Sequence, residues 1–266
     1  MVDQQFILST EELSFSLSYC GYDGMAAGML KEAIGEVSEE GLELVFQTAA
    51  RSLFTKGILL NLDEENSESS FIEGFRELLD DMANSETLLR CFNENEHGQF
   101  ILTAHQGRNG YVYHLVSNEI VHVLNYISKD ELKSEMMTFF GPPFLQPGTE
   151  SHSFTCTEEQ FQILIEGLQG NHVSAIHGLN QSDPSLLEFI TDYQSTGGNL
   201  VNMAVLKTEE ESLPAFLEVY IMLMSKERTW AIRNINPEKD QEPLLIIQTL
   251  PEPDWDTLVT RLIDLL

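Results

Sequence analysis

Apolar and polar positions along this chain change period partway, from helical to alternating, and they do so twice. Up to about residue 82 the apolar side chains recur at helical spacing. Leu13 and Leu17, with Phe15 and Tyr19 beside them, predict a first helix capped by Ser9 or Thr10 and ended by Gly21. Residues 22–34 predict a second, with Gly24, Ala27 and Gly28 as a small-residue face. Ser38 opens a third, whose stripe of Leu42, Val45, Phe46, Ala49, Ala50, Leu53 and Phe54 stops at Gly57. Residues 58–62 predict a short strand, and 71–82 a helix with Phe71, Phe75, Leu78 and Leu79 on one side. The period then becomes two. Strands are expected at 99–104, 111–116 and 120–127, with Arg108-Asn109-Gly110 as the hairpin signal between the first pair. Ser128 and Glu131 form a capping box for a helix to about Phe140, stopped by Gly141-Pro142-Pro143.

The second half repeats this order. Helices are expected at 155–168, at 173–179, and from the Asp183 cap and Pro184 to about Tyr193. Gly197-Gly198 marks the change to strands at 199–207, 215–225, 229–233 and 244–250, and Asp254 caps a last helix over 255–266. The two halves also open alike, with Phe6-Ile7-Leu8-Ser9-Thr10-Glu11-Glu12-Leu13 echoed by Phe154-Thr155-Cys156-Thr157-Glu158-Glu159-Gln160-Phe161. The pattern predicts an α+β fold of two quasi-repeated halves. Each consists of helices, antiparallel strands and a closing helix. Residues 1–140 are one half and 154–266 the other; 141–153, rich in proline and glycine, link them. The two together would make one pseudo-two-fold domain.

With 266 residues, 42% of them apolar, the chain can bury a substantial core. Charge changes the picture more. There are 14 Lys and Arg against 43 Asp and Glu, a formal net charge of −29. Such a field repels phosphate backbones and anionic lipid, so neither nucleic-acid binding nor membrane insertion is expected. No apolar run reaches the length of a membrane span; the longest, 213–224, is broken by Pro214 and Glu218. Residues 1–5 lack the basic start of a secretory signal. Cys20, Cys91 and Cys156 form no CxxC pair and fit reduced thiols in a cytoplasmic protein.

Motifs for chemistry are missing. His97, His105, His114 and His122 do not repeat as metal-ligand pairs, and His172 and His177 lie five apart, wrong for one helix face. Glu209-Glu210-Glu211 and Asp63-Glu64-Glu65 lack the alternating ligands and central glycine of a calcium loop. No GxSxG elbow, GxxxxGK[ST] or GxGxxG occurs. No catalytic, metal or cofactor residue is therefore assigned, which leaves an enzyme with an unrecognised site as one alternative. A second is a winged-helix regulator with Leu42–Gly57 as recognition helix and Gln99–Val116 as wing. Only Arg51, Lys56 and Arg108 are then placed to meet DNA.

Residues 215–224 are the most apolar strand expected. Two readings apply: a central strand buried on both faces, or a partly open, methionine-bearing surface for a partner helix. On the second reading Leu213, Phe216, Tyr220, Met222 and Met224 contact the partner, with Pro214 and the acidic loop 207–212 as a lip.

The opening Leu8-Ser9-Thr10-Glu11-Glu12-Leu13, the segment Ala49-Ala50-Arg51-Ser52-Leu53-Phe54-Thr55-Lys56-Gly57-Ile58-Leu59 and the duplicated plan resemble the EspG-type chaperones of type VII (ESX) secretion. The EsaE-like proteins of Firmicutes are similar. The resemblance implies that the two halves form a central antiparallel sheet flanked by helical bundles, in a cytoplasmic, non-enzymatic protein without cofactors. It also implies a partner, a helical secreted protein bound at its tip and kept soluble until export. A large like charge suits that task, since it keeps a complex with an apolar client dispersed.

Overall fold

The computed structural model describes residues 4–61, 70–95, 97–143, 150–170, 182–208, 214–235 and 244–266. The first half runs β1 (Phe6–Ser9), α1 (Thr10–Tyr19), α2 (Asp23–Ile34), α3 (Glu39–Lys56), α4 (Phe75–Ala83), β2 (Thr87–Asn95), β3 (Gly98–Gly107), β4 (Gly110–Ser117), β5 (Val121–Ile127) and α5 (Lys129–Phe140). The second runs β6 (Ser153–Thr157), α6 (Glu158–Gln169), α7 (Pro184–Ser195), β7 (Leu200–Lys207), β8 (Ala215–Met224), β9 (Thr229–Asn234), β10 (Leu244–Thr249) and α8 (Glu252–Ile263). The strands make one antiparallel ten-stranded sheet, ordered β1-β5-β4-β3-β2-β7-β8-β9-β10-β6. Outward from the central β2–β7 pair, each half contributes its strands in the same sequence. The α+β fold of two quasi-repeated halves is therefore present, as a sheet that each half supplies by five strands.

The echo between the two openings has a structural meaning. Phe6–Ser9 and Ser153–Thr157 are the outer edge strands, paired antiparallel to β5 and β10. Each runs directly into a helix through a capping box, Ser9 with Glu12 and Thr157 with Gln160. Both edge strands replace residues read as loop or helix. The helix expected from 155 starts at Glu158, because Thr155 and Cys156 are paired to Ile246 and Leu245. β2 was not expected at all, yet it joins the halves, pairing with β3 and β7. The strand expected at 58–62 is reduced to one bridge, Leu59 to Phe71, with Leu62 outside the described residues. That bridge holds Phe71 extended, so α4 starts at Phe75. α8 starts at Glu252 with Pro251 as its cap, and Asp254 lies in its first turn. The helix expected at 173–179 lies outside the described residues.

Alternation along the strands sets which helices cover which face. On one face Leu89, Cys91, Leu102, Ala104, Met203, Val205 and Met222 pack under the closing helices, through Leu132 and Met136 of α5 and Trp255, Val259 and Leu262 of α8. The other face carries two separate clusters. α1, α3 and α4 cover Phe6, Leu8, Val112 and Leu124, while α6 and α7 cover Phe154, Leu223, Trp230, Ile232 and Ile247.

Each helical group is tied to a hairpin by a buried aspartate. Asp81 of α4 pairs with Arg108 in the β3–β4 hairpin at 2.9 Å and accepts from Tyr126 Oη at 2.8 Å. Asp192 of α7 pairs with Arg228 in the β8–β9 hairpin at 3.1 Å and accepts from Trp230 Nε1 at 2.7 Å. The sheet order makes these hairpins equivalent, so the same clamp occurs in both halves.

Candidate partner-binding site

β8 divides into two unlike parts. From Tyr220 onward its side chains are built into the body. Tyr220 and Met222 are buried in the central cluster, with Met222 at 0% exposure, and Met224 packs half-buried against the same cluster. On the other face Leu223 is buried under α6 and α7. Before Tyr220 the strand opens to solvent, with Phe216 at 66%, Leu217 at 45% and Val219 at 40% exposure. Of the described residues expected to meet a partner, Phe216 alone presents its side chain to solvent in bulk. Tyr220 and Met222 are core, because the closing helix α8 lies over them. Leu213 falls outside the described residues, as do Glu209, Glu210 and Glu211 of the expected lip. Leu217 and Val219, missed by the sequence reading, complete the exposed group. The buried reading thus holds for the end of the strand from Tyr220, and the methionines of the open reading lie in the body.

The change from open to buried has a local cause. β7 accompanies β8 along its length, but β9 pairs only with Ile221 to Met224. A bulge between Val205 and Leu206 of β7 leaves Leu217 without an opposite residue. The two faces flanking the step differ. Phe216 and Val219 lie opposite Leu206 and Ala204 on the face of α6 and α7. Glu218, Tyr220 and Arg233 lie on the face of α8, where Arg261 of α8 ion-pairs with Glu218. Burial, with the Glu218 carboxylate beside it, pushes the Tyr220 phenol up. Phe216, Leu217, Val219, Arg233 and Arg261 line an open cavity of about 470 Å³ here. On the same face as Phe216, Leu88 and Phe92 of β2 and Leu206 of β7 are half-buried and apolar, interrupted by the half-buried Arg90 and Asn202.

The histidines come together without making a metal centre. His105, His114 and His122 stand on adjacent strands, and among the described residues no group of three or more His, Cys, Asp or Glu has metal-holding geometry. His114 and His122 form a directed chain instead. Thr10 Oγ1 donates to the Glu119 carbonyl at 2.6 Å, so its oxygen accepts from His122 Nε2 at 3.0 Å. His122 Nδ1 then accepts from His114 Nε2 at 2.8 Å, and His114 Nδ1 takes the Thr103 hydroxyl at 3.4 Å. This order needs both rings neutral, and burial keeps them so: it lowers His122 to about 4 and His114 well below its usual value. His172 and His177 lie outside the described residues.

The thiols are structural. Burial pushes Cys20 and Cys156 up to about 11 and Cys91 higher still, away from reactive thiolate. The winged-helix reading is corrected by the sheet. Gln99–Val116, expected as a wing, lies inside it between β2 and β5. Two of its three cations are also engaged, Lys56 with Glu12 at 2.6 Å and Arg108 with Asp81. No described helix is long and apolar enough to cross a membrane.

A sequence profile of the family described as "Uncharacterised protein YfjC" matches residues 5–252. The chain belongs to this family. A Bacillus subtilis (strain 168) protein described as "Uncharacterized protein YfjC" is 23% identical over 236 residues, covering 87% of this chain and 91% of that protein. Among solved structures, the Mycobacterium tuberculosis type VII secretion system chaperone EspG5, in complex with a PE25–PPE41 dimer, superposes with a TM-score of 0.62. The superposition covers 98% of this chain and 96% of EspG5 at 9% identity. At that identity the likeness is one of fold. This YfjC-family chain and EspG5 share their architecture from end to end, so the resemblance read in the sequence is shown at the level of the fold.

Proposed function

We propose that this YfjC-family protein is a cytoplasmic, non-enzymatic chaperone or adaptor that holds a helical type VII secretion substrate through the apolar surface at the start of β8. The observation that carries the reading is the whole-chain fold match to a secretion chaperone that was solved holding its PE25–PPE41 partner. The exposed trio Phe216, Leu217 and Val219 supports it. Three large exposed apolar side chains within four residues at the start of a strand are a surface that monomers seldom leave open without use. The half-buried strip of β2 and β7 between the helical groups offers room for a client helix to lie beside Phe216. In the same proposal residues 1–140 and 154–266 are two lobes of one body, with 141–153 connecting them.

The test is co-expression with helical-hairpin secretion substrates encoded at the same locus. A stable complex of about one to one is expected on size exclusion. Phe216→Asp is expected to weaken it by about tenfold or more while leaving the melting temperature within a few degrees, as for an exposed contact at an interface centre. Met222→Asp is expected to unfold the protein, since it places a charge in the central core. Recovery of the wild-type chain alone from every pairing removes the chaperone reading.

A further inference from the structure

The two faces of the central strands are finished differently. On one face Leu89, Cys91, Leu102, Met203 and Val205 stand at 0% exposure under α5 and α8. On the other, Leu88, Arg90 and Phe92 of β2 and Ile101 and Thr103 of β3 are half-buried, and they belong to neither of the clusters that the helical groups cover. Arg90 is the charge among them. It stands in the middle of β2, opposite Thr103 of β3 and Ala204 of β7, so the ladder on both sides of it is described. β7, the corresponding strand of the second half, presents Leu200, Asn202, Ala204 and Leu206 to this face, none of them charged. The cation is an addition to the duplicated scaffold.

What sets Arg90 apart is the lack of an anion. Taking an arginine even partway out of water costs free energy unless a carboxylate or other acceptors replace that water. Other half-buried arginines meet this demand: Arg76 lies 3.7 Å from Asp80, and Arg228 lies 3.1 Å from both Glu188 and Asp192. Among the described residues the Arg90 side chain has neither an ion pair nor a hydrogen bond, in a chain with 43 Asp and Glu. Glu94, the acid on the same side of β2, is four residues along, about 13 Å away at strand spacing. It accepts from Gln99 Nε2 at 3.4 Å. Arg233 is the one other half-buried cation without an ion pair among the described residues, and it lies on the α8 face close to residues outside them. Around Arg90 the surface is largely apolar, through Leu88, Phe92 and Ile101, and it continues across Leu206 to Phe216. A wholly apolar helix laid here would strip the remaining water from the guanidinium and return nothing for it.

We propose that Arg90 anchors a carboxylate of the client. The helix that covers this face carries one aspartate or glutamate within its apolar side, and that carboxylate meets the guanidinium in a two-bond, charge-assisted pair. Selection then works in both directions. The matched helix gains the pair, and a helix without an acid leaves a desolvated arginine behind. This rests on the chaperone reading and adds the chemistry by which the client is chosen.

The experiment uses the full chain and three fluorescein-labelled, acetylated helical peptides of about four turns. They share one leucine-rich face and differ at its central position, which is glutamate, glutamine or lysine. Fluorescence anisotropy is read near physiological salt. The net charge of −29 favours the lysine peptide over the surface at large, so the general field opposes the expected order. The glutamate peptide is expected to bind at least about fivefold more tightly than either of the others. Arg90→Met is expected to cost that peptide about tenfold or more and to leave the glutamine peptide as tight or tighter. Arg90→Glu is expected to place the lysine peptide first. Arg90→Lys keeps the charge but loses the planar fork; it is expected to weaken the glutamate peptide severalfold and answers the question should the methionine variant fail to fold. Glutamate binding no tighter than glutamine, no binding of any peptide, or an unchanged preference for glutamate in the Arg90 variants each overturns the proposal. A client from the co-expression that binds Arg90→Met as tightly as the wild type removes the anchor and leaves the chaperone. A glutamate peptide held through Arg90 while no client co-purifies keeps the carboxylate site and removes the chaperone.

Discussion

His105 sits buried on β3, and its Nδ1 has no hydrogen-bond partner among the described residues. Burial lowers it to about 4, as it lowers His122. The folded state therefore prefers the neutral ring, whereas the unfolded chain protonates near 6.5. Stability is complete above about pH 6.5 and falls as pH drops from there toward 4, because the unfolded state then binds more protons. The loss at the lower end is on the order of 3 kcal/mol for each such histidine. Protonating His122 also adds a proton at Nδ1 and sets two N–H donors against each other across its 2.8 Å contact with His114. His105→Leu is expected to leave stability at pH 7 within about 1 kcal/mol and to flatten the acid limb. Urea unfolding at pH 7, 5.5 and 4.5 reads both. An acid limb as steep as that of the wild type would place the sensitivity elsewhere.

The recurring elements are a capped helix behind each edge strand and an aspartate clamp on each central hairpin. The clamps differ in burial. The Arg108 side chain is 58% exposed and can return to water once its partner is lost, while Arg228 is 14% exposed. Asp81→Asn is thus expected to cost about 1–3 kcal/mol, mostly through the Tyr126 and Arg108 amide bonds to its carboxylate. Asp192→Asn is expected to cost more, since the Trp230 N–H and a desolvated arginine both lose an anion; Glu188, 3.1 Å from Arg228, limits the damage. Denaturant midpoints compare the two. At the β3–β4 turn, Gly110 adopts φ +121°, and an added Cβ would stand 2.6 Å from Ile127 O, so the hairpin signal in the sequence reflects a real steric demand.

For the molecule as a whole, the net charge of −29 is a standing self-repulsion. Surface carboxylates outnumber the cations available to pair with them, so screening relieves more repulsion than attraction. Raising sodium chloride from about 0.05 M to 0.5 M is expected to raise the melting temperature by a few degrees at pH 7. Calorimetry at the two concentrations tests this; a fall would show that specific ion pairs outweigh the field. On the proposed chaperone reading the same charge bears on function, because a protein that opens Phe216, Leu217 and Val219 to water needs a body that resists association.

The sequence by itself determined the elements whose signals are local. Ser128 with Glu131, Asp183 with Pro184, Gly57 and the Arg108-Asn109-Gly110 turn each act through a neighbour a few residues away, and each element appears where its signal stands. The duplicated plan was legible for the same reason, as an order of local signals. β1, β2 and β6 were not, because these residues become strands only when β5, β3, β7 and β10 lie beside them. The candidate site was half legible. Its apolar run singled out 215–224, but composition cannot tell Met222 from Phe216. Tertiary structure decided that: α8 closes over one end of the strand, and the pairing with β9 stops at Ile221, short of the other. Exposure is a property of what packs against a residue, and its own side chain does not encode it.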